Sequence, residues 1–312
     1  MFIPSTSYAQ SNLIQSNEEY CKTQEPFDYN IALNVLTIGE IDTKDGSYEL
    51  IFALLITSDK VDFTKCPPPS EWLFTNGYIK ERWAAHTEPH FHRVFMHGVF
   101  FNQLDYRDYP FETIDLFLDM SAYYPLTSEN VKFTVNEELS GDKLAAEHLS
   151  GYNVGDVQLK ISEYKRPYAT FPHVSMIIPL TMDPEMIFLK KIFPVLILAG
   201  FGYSTFFMSP KILQDRITLL GAVFVGAIFF HAVLLGEIPP LGYLTIADKV
   251  MITVYSVFSL TLISILVQQR YLNKIGHSDK DFTLSIAKEI DKKLIKLTPI
   301  IAAIIFSALF FS

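Results

Sequence analysis

The sequence predicts an all-β extracellular sandwich followed by a four-helix transmembrane bundle. Composition is the first reason: 49% hydrophobic residues and a mean hydropathy of +0.22 are too apolar for an average soluble enzyme, while 19% charged residues are too many for a pure membrane bundle. Placement is the second, since strand-like alternation, acids and turn residues fill the chain to about residue 185 and apolar segments dominate beyond it. The third is length: Met186–Met208, Ile217–Leu235, Val250–Val267 and Leu294–Phe311 each approach the ~20 residues that cross a bilayer core as a helix. The last, KLTPIIAAIIFSALFFS, has almost no polar face, which argues against four helices packed in water. The expected division is a tail over residues 1–26, a β domain over 27–184 and a membrane domain over 185–312.

Within the β domain, DYNIALNVLTI and SYELIFALLIT flank the turn dipeptide Asp45-Gly46 and read as a hairpin. VGDVQLKISEY and HVSMIIPLTM flank the loop KRPYATFP and read as a second, with RVFMHGVFF a further strand. Many short strands without a helix-length periodic segment suggest two packed sheets. In the membrane domain, Lys211 and Arg216 lie between the first two apolar segments, and Arg270, Lys274, Lys280, Lys288, Lys292 and Lys293 between the last two. The link GEIPPLG has no basic residue, so the positive-inside rule places the β domain outside, extracellular or periplasmic, at a plasma or inner membrane. MFIPSTSYAQSN lacks the basic and apolar regions of a secretory signal, so such a signal is expected to have been removed. Cys21 and Cys66 meet an oxidising compartment on this orientation and can pair or stay free; their spacing does not decide.

The stretch NQLDYRDYPFETIDL puts Tyr109-Pro110-Phe111 among acids. A proline ends a ladder and stiffens a bend, and two flanking rings ask for an apolar surface. Asn102 and Leu116 stand at its ends, fourteen positions apart, with Asp105, Arg107 and Glu112 inside. This pattern, with Pro184, Pro194 and EIPPLGYLTIADK further on, resembles the pentameric ligand-gated ion channels, the Cys-loop receptor superfamily, in the prokaryotic form that lacks the bracketing cysteines. The resemblance covers most of residues 29 to 312. It departs at Met182, where the family usually has an arginine, which leaves Lys190 or Arg107 as substitutes in coupling.

What the resemblance implies is a homopentamer in membrane lipid, with a ligand-binding β domain, an axial pore for permeant cations and a small-molecule agonist, an amine or protons. Coupling falls to Arg107, Tyr109, Pro110, Phe111 and Glu112, with Ile238, Pro239 and Pro240 as the expected partners of the turn. Thr218, Ala222, Val225, Phe229, Ala232 and Gly236 recur at spacings of three and four and share one helical face. The resemblance turns that face to the axis, makes Val225 and Phe229 a gate that dewets when narrow, and gives Asp215 the selectivity ring at one mouth. His231 lies off this face, where a hydrogen-bonded packing role competes with proton sensing. For the ligand, the expected aromatics are Tyr123, Tyr164, Tyr168 and Phe171, with Phe74 and Asn76 as further contributors.

HTEPHFH gathers His86, Glu88, His90 and His92; these types can hold zinc or another divalent modulator, and a solvated loop is the alternative. No cofactor is otherwise expected, nor nucleic acid as partner. Because no nucleophile motif, phosphate loop or candidate active site appears, the chain is not expected to be an enzyme and no residue is expected to be catalytic. A non-conducting membrane-anchored sensor of the same architecture is the competing reading.

Overall fold

The computed structural model describes residues 19–141, 149, 151–275 and 280–311; residues 1–18 of the expected tail lie outside these. By its internal contacts the chain divides into two units, one running to Leu104 and resuming over Thr113–Thr181, the other comprising Asp105–Glu112 and the chain from Met182 onward.

The first unit holds two five-stranded sheets, sandwich-like in that both feed one core. One sheet has the order β4 (Gly77–Glu88), β5 (Phe91–Phe101), β2 (Ser47–Thr57), β1 (Phe27–Asp42), β7 (Val131–Val135). The other runs β3 (Leu73–Phe74), β6 (Ile114–Ser121), β10 (Ala169–Thr181), β8 (Asn153–Val154), with β9 (Gln158–Arg166) also on β10. Alternation builds the core: Leu50, Phe52 and Leu54 are buried from β2, and Leu116, Leu118 and Met120 from β6. Phe52, Phe74 and Phe100 interlock edge to face at 5.8 to 6.0 Å. Both expected hairpins form, β1–β2 and β9–β10. Gly46 has φ +66°, and a Cβ there would stand 2.3 Å from the Asn102 carbonyl oxygen, so this turn requires glycine. Cys21 and Cys66 are paired in a disulfide.

The second unit carries four helices long and apolar enough to cross a membrane, Pro184–Phe207, Pro210–Leu235, Ile246–Tyr271 and Leu284–Phe310, as in a multi-pass membrane protein. Asp183 caps the first, accepting from the Glu185 amide at 2.9 Å. Pro194 interrupts the amide ladder, and the backbone just before it, Phe188–Ile192, widens to a π-turn. The first three spans share a core of Val195, Leu220, Val223, Ala227, Met251, Val254, Phe258 and Ile265. Gly202 lets the Phe258 ring approach to where a Cβ would meet it at 2.3 Å. In the fourth span Pro299 has no amide proton to offer the Ile295 carbonyl four residues back, and the Tyr203 hydroxyl of the first span donates to that oxygen at 2.6 Å.

Candidate functional site

Three places hold most of the residues singled out by the sequence: the Asp105–Glu112 turn, the exposed face of the second span, and the turn end of the β9–β10 hairpin.

By its contacts the turn belongs to the helical unit. A helix begins with amides that have no intrahelical acceptor, and the turn supplies two: Ile246 N–H donates to the Arg107 carbonyl (3.2 Å) and Ala247 N–H to that of Tyr109 (3.0 Å). Tyr243 reinforces the junction, its hydroxyl accepting from the Tyr106 amide at 3.0 Å while the Arg107 guanidinium lies 5.4 Å from its ring centroid. Tyr109 is buried; its hydroxyl donates to Glu237 Oε2 at 2.9 Å and lies 3.3 Å from the Leu234 carbonyl. Lys191 Nζ completes the cluster, 2.5 Å from Glu237 Oε2 and 4.6 Å from the Tyr109 ring centroid. Burial and the neighbouring Glu237 carboxylate raise the Tyr109 hydroxyl above its ordinary range.

The hydrogen bonds and ion pair of the turn thus reach residues on either side of the expected partners Ile238, Pro239 and Pro240, and Lys191, the neighbour of Lys190, is the lysine that meets Tyr109. Pro239 and Pro240 have no amide to donate to the carbonyls of the turn, whereas the start of the third span has. Pro110 is buried beside Tyr109, and Phe111 is partly exposed. At the ends of the stretch, the Asn102 side chain makes a non-covalent link: it donates to the Asp115 carbonyl at 2.5 Å and accepts from the Phe117 amide at 3.2 Å, the two neighbours of Leu116.

Glu112 is 8% exposed, and its Oε2 has no hydrogen-bond partner among the described residues. Burial raises its carboxyl above the usual range; its own amide and Lys191 oppose the rise, and Glu237 and Asp108 add to it. A carboxyl raised on folding contributes stability below the unfolded carboxylate range that is lost as pH rises through the folded value. The melting temperature should accordingly fall, as pH rises from the ordinary glutamate range upward, more steeply in the native protein than in Glu112→Gln, with Glu112→Gln the more stable once the folded carboxyl has ionised. Parallel profiles in a thermal-shift titration would contradict this.

On the second span, Asp215, Thr218, Ala222, Val225, Phe229, Ala232 and Gly236 are all exposed, Phe229 at 69% and Val225 at 50%. The opposite face, with Leu220, Val223, Ala227 and Leu234 buried and Phe230 packed beside them, faces the bundle core. His231 is hydrogen-bonded within the unit, Nδ1 to Tyr255 at 3.2 Å and Nε2 to Asp248 at 3.1 Å.

At the hairpin, a cavity of about 610 Å³ is lined by Tyr124, Thr127, Ser128, Glu129, Glu163, Tyr168, Ala169 and Thr170. Tyr124 and Tyr168 are 73% and 68% exposed, so two ring faces and two carboxylates are presented together. Phe171 is buried and meets Tyr168 edge-on at 6.0 Å, while Tyr164 lies against His173 at 6.1 Å. Tyr123 lines a second cavity, of about 280 Å³, with Tyr29, Glu71 and Trp72, and Tyr124 borders both. The chain turns out of β6 after Ser121, which brings Tyr124, missed by sequence reasoning, to the cleft instead of Tyr123. Phe74 is a core residue, and Asn76 is engaged by the Phe117 carbonyl and the Asp119 amide.

The histidine cluster does not converge. Pro89 and His90 form the turn between β4 and β5 in place of a continuous strand, and His90 Nδ1 is directed at the carbonyls of Ser58 (2.9 Å) and Val61 (3.1 Å). His86 pairs with Glu88 at 3.0 Å and His92 with Thr87 at 2.9 Å. Among the described residues no group of three His, Cys, Asp or Glu is placed to hold a metal, and of the two readings of HTEPHFH the structure shows separate local contacts, not a shared site.

The chain matches no protein-family model and no curated protein.

Proposed function

We propose that this chain is the subunit of a homopentameric ligand-gated cation channel, its β domain an extracellular sandwich that binds an amine and its second span the lining of the pore. The observation that carries this reading is the Asp105–Glu112 turn, a segment interrupting the β-domain chain whose carbonyls cap the third span and whose Tyr109 joins Lys191 and Glu237. A packed element with discrete partners is what transmits a rearrangement. The Tyr124–Tyr168 cleft, with Glu129 and Glu163, has the aromatic and acidic character that attracts an ammonium group. The exposed stripe from Thr218 to Gly236 supplies a face that like copies arranged around an axis would turn inward to the lumen.

Native mass spectrometry in detergent and sodium flux from proteoliposomes test this together, with propylamine as the probe. A pentamer with propylamine-evoked flux is expected; a folded monomer or dimer as the dominant species removes the channel. The apolar character of the stripe favours the second reading, a non-conducting sensor, and a pentamer without flux under any opening variant would select it. In the conducting protein, Tyr168→Ala should weaken the propylamine response about tenfold, and Tyr168→Phe by less than about twofold, since the ring face and not the hydroxyl meets the cation. Equal losses would count against an aromatic site.

A further inference from the structure

The helix Leu213–Leu235 carries two residues with full charges, Asp215 and Arg216, adjacent in sequence and so about 100° apart around the helix. Asp215 is exposed on the stripe that ends at Gly236, whereas Arg216 is fully buried among the spans. Its guanidinium meets Asp291 of the fourth span at both ends, Nη2 to Oδ1 at 3.0 Å and Nη1 to Oδ2 at 3.2 Å. Nη1 also donates to Gln268 Oε1 of the third span at 2.9 Å. Gln268 Nε2 donates in turn to Asp291 Oδ1 (2.6 Å) and Ser264 Oγ (3.1 Å), so each member of the group is oriented by another. Gln268, Asp291 and Ser264 are buried as well. A two-pronged arginine–carboxylate pair fixes direction as well as charge.

We propose that Asp291, with Gln268, is a specificity-determining residue of the pore, acting as a positioning group: it draws Arg216 away from the axis and cancels its charge, leaving Asp215 as the charge this helix presents on its exposed face. The inference rests on the channel reading. Without the pairing, each subunit would set a cation beside its carboxylate at the mouth, and the net charge contributed by the helix there would go from minus one to zero. A field that small differences in ring charge control is the one that selects between cation and anion.

The test is the reversal potential of the full chain in planar bilayers across a sodium chloride gradient, the pore being opened by propylamine or by Phe229→Ser. Asp291→Asn should lower the cation-to-anion permeability ratio by at least about threefold. The double variant Arg216→Gln/Asp291→Asn, which removes both charges and leaves no buried ion unpaired, should keep the native ratio, and it carries the test where Asp291→Asn fails to assemble. An unchanged ratio in Asp291→Asn, or a rise of about threefold or more in the double variant, overturns this assignment while the channel itself stands. Absence of current from the native protein and from every variant removes the channel reading, and this inference with it.

Discussion

Phe229→Ser and Val225→Ser are expected to produce a standing sodium leak, or an activation threshold lowered by about tenfold, in liposome flux measurements. Both side chains project from the exposed face of the second span, and no polar side chain shares that face between Thr218 and Gly236. A narrow ring of such residues repels water, and a hydroxyl from every subunit lowers the cost of wetting it. Phe230 is the control. It packs against the buried cluster of the bundle, so Phe230→Ser should reduce assembly and leave conduction per pentamer near native. Cysteine labelling from the aqueous side that marks position 230 and spares 229 would reverse the register and the gate assignment with it.

Tyr109→Ala should abolish propylamine-evoked flux, by more than about tenfold, while the leak of Phe229→Ser persists in the double variant. The ring is buried under the Lys191 ammonium and its hydroxyl holds Glu237, so truncation removes a core aromatic and separates the turn from two spans at once. Loss of a buried aromatic costs about 3–5 kcal/mol, so a lower melting temperature should accompany the functional loss. Tyr109→Phe keeps the ring and loses a hydrogen bond to a carboxylate, a penalty of about 1.5–3 kcal/mol, and should fall between the two. Native responses in Tyr109→Ala would mean that opening does not pass through this turn.

The four spans were legible because a stretch of about twenty predominantly apolar residues has few other uses, although the second and fourth begin well before the expected Ile217 and Leu294, at Pro210 and Leu284. The two hairpins were legible from alternation and from the need for glycine at position 46. β4 was not, since GYIKERWAAHTE is exposed along most of its length and carries no period for a core to impose. Within the candidate sites, the exposed face of the second span follows from helical spacing, a local property. Partnership is nonlocal: nothing in the composition of the 238–240 link says that the helix after it needs acceptors for its first amides. Similarly, whether Tyr123 or Tyr124 reaches the cleft depends on where β6 releases the chain, and Arg216 and Asp291 are separated by 75 residues.

That separation bears on how the protein is made. The first three spans share a buried cluster of their own, but the carboxylate that neutralises Arg216 arrives only with the fourth, as does the carbonyl that the Tyr203 hydroxyl fills. During synthesis the inserted chain therefore holds a cation without its counter-charge until its last helix reaches the bilayer, and an unpaired arginine among apolar helices is costly. The pairing of Arg216 is thus a property of the complete bundle, which no shorter set of its helices can supply.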